Sequence, residues 1–203
     1  MGLILMKFLL TLLLIFSLQS WAKANEFGEF EIEGILLKES LLKYFDKNEI
    51  EAKKKRGFVY PKKDFYSATF LSSKFNKYDR VQFHIKADDK KYIIYSLTGQ
   101  IIYKNNIEKC YKDMENIVSE IKLMFKNPKV IDLDIDSHEL DKNTKVKSTF
   151  IDLRSTKYHE GAIVIECYDW SENATKEKGL LDKLMISIDS KEFEYWINNV
   201  AYN

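Results

Sequence analysis

The chain is poor in the residues that break structure and in those that bind metals. Two prolines and seven glycines in 203 residues exclude a low-complexity or linker-type protein. Three histidines, His84, His138 and His159, show no i, i+4 pair and no Cys/His cluster, so their spacing defines no metal site. No G-x-S-x-G elbow, Walker loop, dinucleotide fingerprint or H-E-x-x-H pair occurs, which removes the enzyme classes recognisable by short motifs. An excess of positive charge is also missing. Without residues 1–24, which carry only Lys7 and Lys23, 30 basic and 31 acidic side chains remain. That balance gives no electrostatic case for nucleic-acid binding.

What is present begins at the amino terminus, "MGLILMKFLLTLLLIFSLQSWAKANEF". The apolar run Phe8–Leu18 covers 11 residues, against roughly 20 for a membrane span. Ala22-Lys23-Ala24 then supplies the small-x-small pattern of signal peptidase. These features predict a cleaved secretory signal over 1–24, with cleavage between Ala24 and Asn25. Met6-Lys7 offers a second start for the same signal. No cysteine lies near the cleavage site, so no lipid anchor is expected. The mature chain, 25–203, is expected to be one domain without a transmembrane span, or two subdomains meeting near 57–64. Its expected location is the periplasm or outside the cell.

"ESLLKYFDKNEIEAKKKRG" reads as two short helices, the first with Leu41, Leu42 and Phe45 on its apolar face. Asp46 and Glu49 resemble a capping box at the second start. The run Lys53–Arg56 reads as a solvated helix end, where lysines suit the macrodipole. From Phe65 the period becomes alternating: Val81, Phe83 and Ile85 share one face, and Gln82, His84 and Lys86 the other. Residues 87–90 read as a hairpin turn, and Thr98-Gly99 as a second turn or a bulge. A long helix is predicted over about 106–126, with Asn105 or Asn106 capping it and Asn127-Pro128 ending it. Ile107, Cys110, Tyr111, Met114, Ile117, Val118, Ile121, Met124 and Phe125 form its apolar stripe. Strands follow in "VIDLDIDSHEL", "KVKSTFIDLR", "GAIVIECYDW" and "DKLMISIDS". "SKEFEYWINNVAY" closes the chain as an amphipathic helix, with Asp189 and Glu192 as its capping box. The expected fold is α+β: a mostly antiparallel sheet of about six or seven strands, covered on one face by the long helix and the C-terminal helix.

Cys110 lies on the apolar stripe of the long helix. Cys167 shares a strand face with Ile163 and Ile165. Two cysteines in one exported domain usually pair, and both point from apolar surfaces that meet if the helix packs on the sheet. The predicted disulfide Cys110–Cys167 would stabilise by about 4 kcal/mol in the chain-entropy model. The stretch "DLDIDSHELDKN" places Asp132, Asp134 and Asp136 at the first, third and fifth positions of a calcium loop. Ser137 then stands where the loop needs Gly, and Asn143 where it needs the bidentate Glu. Ile131, Leu133 and Ile135 alternate with the aspartates as in a strand, with Lys145 and Lys147 expected to offset the like charges. The aromatics recurring over 58–103 fit either sheet and core filling or a recognition surface. Asn173-Ala174-Thr175, in a segment read as a loop, is a glycosylation sequon relevant only in a eukaryotic secretory pathway.

The order "FEIEGILLKESLLKYF", "YSLTGQIIYKNNIEKCYKDMENI" and "IVIECYDW" resembles uncharacterised exported proteins of AT-rich marine alphaproteobacteria, a group whose likeness implies no activity. "IEGILLKESLLKYF" also resembles, in fold, the opening of small outer-membrane-assembly lipoproteins and of β-lactamase-inhibitor-like modules. It departs from them at Lys38 and Glu39, where a second Gly is usual, and in lacking the lipid-bearing cysteine. The expected function is a non-catalytic protein that binds another protein or an envelope component, with no cofactor and no assigned catalytic residue. Two competing expectations stand beside it. One is a small hydrolase built on unrecognised acids or on His138 and His159, and the other a metal-handling protein using Asp132, Asp134, Asp136 and His138.

Overall fold

The computed structural model describes residues 30–104, 106–125, 128–138, 141–154 and 161–203. The predicted signal segment, its cleavage site and His159 lie outside these residues. A 3-10 turn, Leu41–Lys43, precedes helix α1 (Lys47–Lys54). Strands β1 (Phe65–Leu71), β2 (Arg80–Lys86) and β3 (Ile94–Ile102) lead to the long helix α2 (Ile107–Met124). Then come β4 (Lys129–Asp132), β5 (Asp136–His138), β6 (Asp141–Asp152) and β7 (Ala162–Asp169). Helix α3 (Glu172–Lys178), strand β8 (Lys183–Asp189) and helix α4 (Lys191–Asn199) complete the order. All strand pairs are antiparallel, in the order β1-β2-β3-β8-β7-β6-β4, with β5 also on β6. The fold is the expected α+β, with eight described strands because "VIDLDIDSHEL" splits into two segments on one neighbour.

Alternation along the strands builds the core. Val81, Phe83, Leu97, Ile163, Ile165, Ile186 and Ile188 are buried on one face. Against them α2 buries Cys110, Met114, Val118 and Ile121, the 4-, 4- and 3-residue steps of one helical stripe. Asn106 caps α2 by accepting the Lys109 N–H at 3.2 Å, and the helix ends before Phe125. Met124, assigned to the stripe, is in fact exposed. Cys110 and Cys167 form the predicted disulfide, with Cα atoms 6.0 Å apart, and tie α2 to β7. At the start of the described chain Glu33 fastens the N-terminal segment to the loop before β2. Its carboxylate accepts the N–H groups of Asn76, Lys77 and Tyr78 at 2.6–3.0 Å.

Several expectations need correction. The helices cover both faces of the sheet: α1 and α2 lie on one, while α4 packs on the other through Phe193 and Trp196 against Phe65. Leu41 and Phe45 are buried, but Leu42 points outward. Asp46 stands at the α1 N-cap without a side-chain capping bond, and Glu49 instead pairs with Lys74 at 2.6 Å. Lys53 and Lys54 are not free in solvent, since their ammonium groups lie over the Phe70 and Tyr66 rings. Ser190, not Asp189, caps α4 by accepting the Phe193 N–H. The sequon segment is a helix, α3, capped by Ser171 and closed by Gly179 in the left-handed region. Thr98-Gly99 makes no turn; both lie inside β3, whose bulge comes earlier, at Tyr95, which is skipped in the pairing with His84 and Ile85 of β2.

Gly99 has a packing reason. A Cβ there would stand 2.5 Å from two carbons of the Tyr78 ring, which lies flat against the strand. Gly99→Ala is expected to destabilise by about 1–3 kcal/mol, and Tyr78→Ala in the same chain to recover part of the overlap cost, as measured by urea unfolding. The disulfide gives a second expectation. The Cys110→Ser/Cys167→Ser variant should lose on the order of 2–4 kcal/mol. Untreated protein should have an intact mass two hydrogens below that after reduction.

Candidate functional site

The strand register lines up one row of side chains on the face under α4. Ser67, His84, Ser96, Asp189, Ala162, Asp152 and Lys129 stand directly opposite one another across seven strands. Alternation makes this a polar row, because its positions are out of phase with the core isoleucines. The segment after α1 brings Tyr60 to it. Gly57 passes so close to β1 that a Cβ would meet the Ser67 carbonyl oxygen at 2.0 Å. The next residue, Phe58, donates its N–H to Ser67 Oγ at 2.7 Å. Tyr60 then reaches His84, with its hydroxyl 2.8 Å from Nε2.

The hydrogen bonds in the row share one direction. The Tyr60 hydroxyl, held protonated by burial, donates to Nε2, leaving Nδ1–H to donate to Ser96 Oγ at 3.2 Å. Ser96 stands directly opposite Asp189 in the β3–β8 register, and its hydroxyl favours the ionised form of that carboxyl. Phe193 stacks on the imidazole with ring centres 4.5 Å apart. Trp196 packs edge-on to Tyr60 at 4.9 Å and donates Nε1–H to Asp64 at 2.9 Å. Burial drives His84 down to about 3, so the ring is neutral. Burial also pushes Asp189 up to about 7, with Glu194 and Glu166 adding like charge against the effect of the Ser96 hydroxyl.

A histidine, a serine and an aspartate at neighbouring register positions invite comparison with a catalytic triad. The order is different: serine stands between histidine and aspartate, where a triad needs histidine in the middle. His84 is 6% and Ser96 1% exposed, so no substrate reaches them in this conformation. A base driven to about 3 also removes a proton from a hydroxyl poorly. The row can store a proton and anchor α4; it is not arranged for nucleophilic attack.

Beside the row lies an open groove of about 960 Å³ between α4 and the β2–β3 turn. Trp196 and Tyr95 are its aromatic wall, and Tyr195 stands 65% exposed at its edge. Three of its acids are engaged within the protein: Asp64 by Trp196, Asp89 by the Lys91 and Ile93 N–H groups, and Glu192 by Lys86. Lys63 and Lys91 take part in none of the ion pairs among the described residues. Trp196 links this groove to a second surface, because Tyr60 also contacts Phe58 and Tyr202. There Phe58, Val59 and Tyr202 are 56%, 73% and 61% exposed.

The residues singled out from the sequence are not brought together. His138 lies beside Tyr168 and Trp170, with ring centres 6.1 and 5.2 Å away, on elements remote in the sheet order from His84. Asp132, Asp134 and Asp136 are exposed along the sheet edge, and Asp132 accepts the Thr149 hydroxyl at 2.7 Å. Among the described residues no three His, Cys, Asp or Glu side chains converge as a metal site would require. The expected offset by Lys147 goes elsewhere, since its ammonium lies 3.6 Å from Glu115 of α2. Neither Tyr60 nor Ser96 carries a local sequence signal of the row. The alternation of "KLMISID" already puts Asp189 opposite the core residues Leu184, Ile186 and Ile188, but that signal was absorbed by the capping box. No family model, curated protein or solved structure matches the chain.

The two titrations under α4 oppose each other. The lowered His84 contributes stability that is full above about 6.5 and lost as pH falls toward 3. The raised Asp189 contributes stability that is full below about 3.9 and lost as pH rises through 7. Between roughly pH 4 and 6.5 the folded row holds neutral imidazole and protonated carboxyl, while the unfolded chain holds imidazolium and carboxylate. The proton counts are equal, so the two contributions cancel there. Asp189→Asn should therefore gain on the order of 2–4 kcal/mol relative to wild type between pH 4 and pH 8 in urea unfolding. Parallel curves would mean that Asp189 carries no buried proton.

Proposed function

We propose that this is an exported, non-catalytic binding protein of the periplasm or cell exterior, which engages a protein or envelope component through the aromatic surface around Tyr60. The observation that carries the reading is the exposure of Phe58, Val59 and Tyr202 around a rigid, buried Tyr60. Most other aromatics of the 58–103 region, such as Phe65, Tyr66, Phe70, Tyr78 and Phe83, are core. Phe58 gives the fold one ring contact with Tyr60 and otherwise stays, with Val59, largely in water, and exposed apolar side chains of this kind supply binding energy at interfaces. The disulfide supports export, because such bonds persist in oxidising compartments. The groove at Trp196 extends the surface with Tyr195 and two cations, Lys63 and Lys91, that have no ion-pair partner among the described residues.

The test is site-specific photocrosslinking in cells producing the protein. A crosslinking side chain at Val59 should capture a defined species that one at Leu123, 89% exposed on α2, does not. Phe58→Ala with Tyr202→Ala should weaken that capture by roughly tenfold or more if these are interface anchors, with the urea midpoint little changed. Equal capture from both positions, or none from Val59, would remove the proposal.

A further inference from the structure

The loop that carries Phe58 and Val59 holds an uneven share of the molecule's charge. Residues 53–63, "KKKRGFVYPKK", contain six basic side chains and no acid, and outside them the acids outnumber the bases. Two of the six are committed, since Lys53 and Lys54 lie over the Phe70 and Tyr66 rings. The other four, Lys55, Arg56, Lys62 and Lys63, are exposed. None of these four enters an ion pair among the described residues. The acids that bound the stretch are engaged elsewhere: Glu51 accepts the Tyr92 hydroxyl at 2.7 Å, and Asp64 accepts the Trp196 Nε1–H.

The fold sets the cations around one apolar tip. β1 is the outermost strand of the sheet, and Gly57 and Phe58 fasten the loop to it through Ser67. Tyr60 is buried against His84 and Trp196, and Lys62 donates its backbone N–H to the Ala201 carbonyl at 3.2 Å. Phe58 and Val59 therefore stand in water on a segment anchored at both ends, and Tyr202 meets the same Tyr60 ring. Lys55 and Arg56 precede the tip; Lys62 and Lys63 follow it.

Shape and charge together select the occupant. A stable protein interface engages about 20–30 residues a side and seats its anchors in pockets. Here the tip is three side chains, and the neighbouring groove is lined by none of them. A lipid surface needs no matching pocket: apolar side chains enter the headgroup–acyl boundary while cations meet anionic headgroups. Lysine and arginine stems lie along such a boundary with their charged ends in the headgroup layer.

We propose that the 55–63 loop docks the protein on an anionic phospholipid surface. Phe58, Val59 and Tyr202 enter the interface, and Lys55, Arg56, Lys62 and Lys63 pair with phosphate-bearing headgroups. This rests on the Tyr60 corner being the binding surface, and it names the envelope component. The attachment is reversible, because a few interfacial side chains and four charges hold far less firmly than a spanning helix.

The test is co-sedimentation of the protein, purified after export, with phosphatidylcholine vesicles that contain or lack phosphatidylglycerol. Partition should be at least roughly tenfold stronger onto the anionic vesicles and should weaken as salt is raised. Lys55→Gln/Arg56→Gln/Lys62→Gln/Lys63→Gln should lose that preference, whereas Lys112→Gln/Lys122→Gln/Lys142→Gln/Lys145→Gln, an equal charge loss at exposed sites elsewhere, should keep it. Phe58→Ser/Val59→Ser should weaken binding to anionic vesicles by roughly tenfold or more, with the urea midpoint little changed. Equal partition of the wild type onto both vesicles would overturn the proposal, as would an equal loss in the two charge variants. Undiminished binding of the Phe58→Ser/Val59→Ser variant would reduce the effect to charge attraction and overturn it too. A crosslinker at Val59 that captures a protein and no phospholipid would overturn the lipid assignment and leave the Tyr60 surface standing; capture of neither removes both.

Discussion

The architecture depends on where the last strand goes. β1, β2 and β3 form one antiparallel set, and β4 to β7 another; only β8 is bonded to both, between β3 and β7. Remove it and the eight-stranded sheet becomes two smaller ones. Its inward side chains, Leu184, Ile186 and Ile188, are fully buried beside Ile163, Ile165 and Leu97, so the core continues across both sets. Its outward side chains link the halves by other means: Ser187 bonds Thr98 at 2.9 Å, and Asp189 completes the row under α4. Because α4 follows β8 directly through Ser190, the placement of the strand also places the helix that seals His84.

From this one insertion the two ends of the sheet follow. On the β1–β3 side, α4 closes over the polar row and brings Trp196 and Tyr202 next to Tyr60. On the β4–β6 side no helix or strand among the described residues pairs beyond β4 and β5. The molecule is therefore asymmetric along its sheet: one end is capped by aromatics, the other carries a charged and apolar edge. The buried row suits an anchor: the Tyr60 and Ser96 hydroxyls engage both ring nitrogens of His84, while Asp189 keeps a buried carboxyl oxygen without a partner among the described residues, a cost that burial lowers by holding the carboxyl protonated.

Much of this could be read in the sequence, and the failures have physical causes. The helix α2, the strands and the Cys110–Cys167 bond were legible because burial imposes a strict period on apolar positions, and the cysteines obey it. The covered face was misread because alternation shows which residues share a face, not whether the second face is also covered; His84 looks solvated until α4 is placed over it. Gly99 was misread because a glycine in a strand signals a turn or a close approach equally well, and the Tyr78 ring that decides the matter comes from a distant segment. α3 was missed because it spans two turns and buries only Ala174, too little apolar period to detect. The Tyr60–Asp189 row joins residues more than a hundred positions apart, and no local pattern encodes such a meeting.

The covalent bond has a consequence for the order of assembly. Both cysteines precede β8, so the loop they close contains β4 to β6 and β7 as far as Cys167, and excludes the last strand. Oxidation can thus fix α2 over β7 while the slot between β3 and β7 is still empty. The strand that fills it must find partners some 90 residues back, a non-local step of the kind that folds slowly. A chain cross-linked first has fewer arrangements to search. The bond then acts as a staple set before the final piece is slid home.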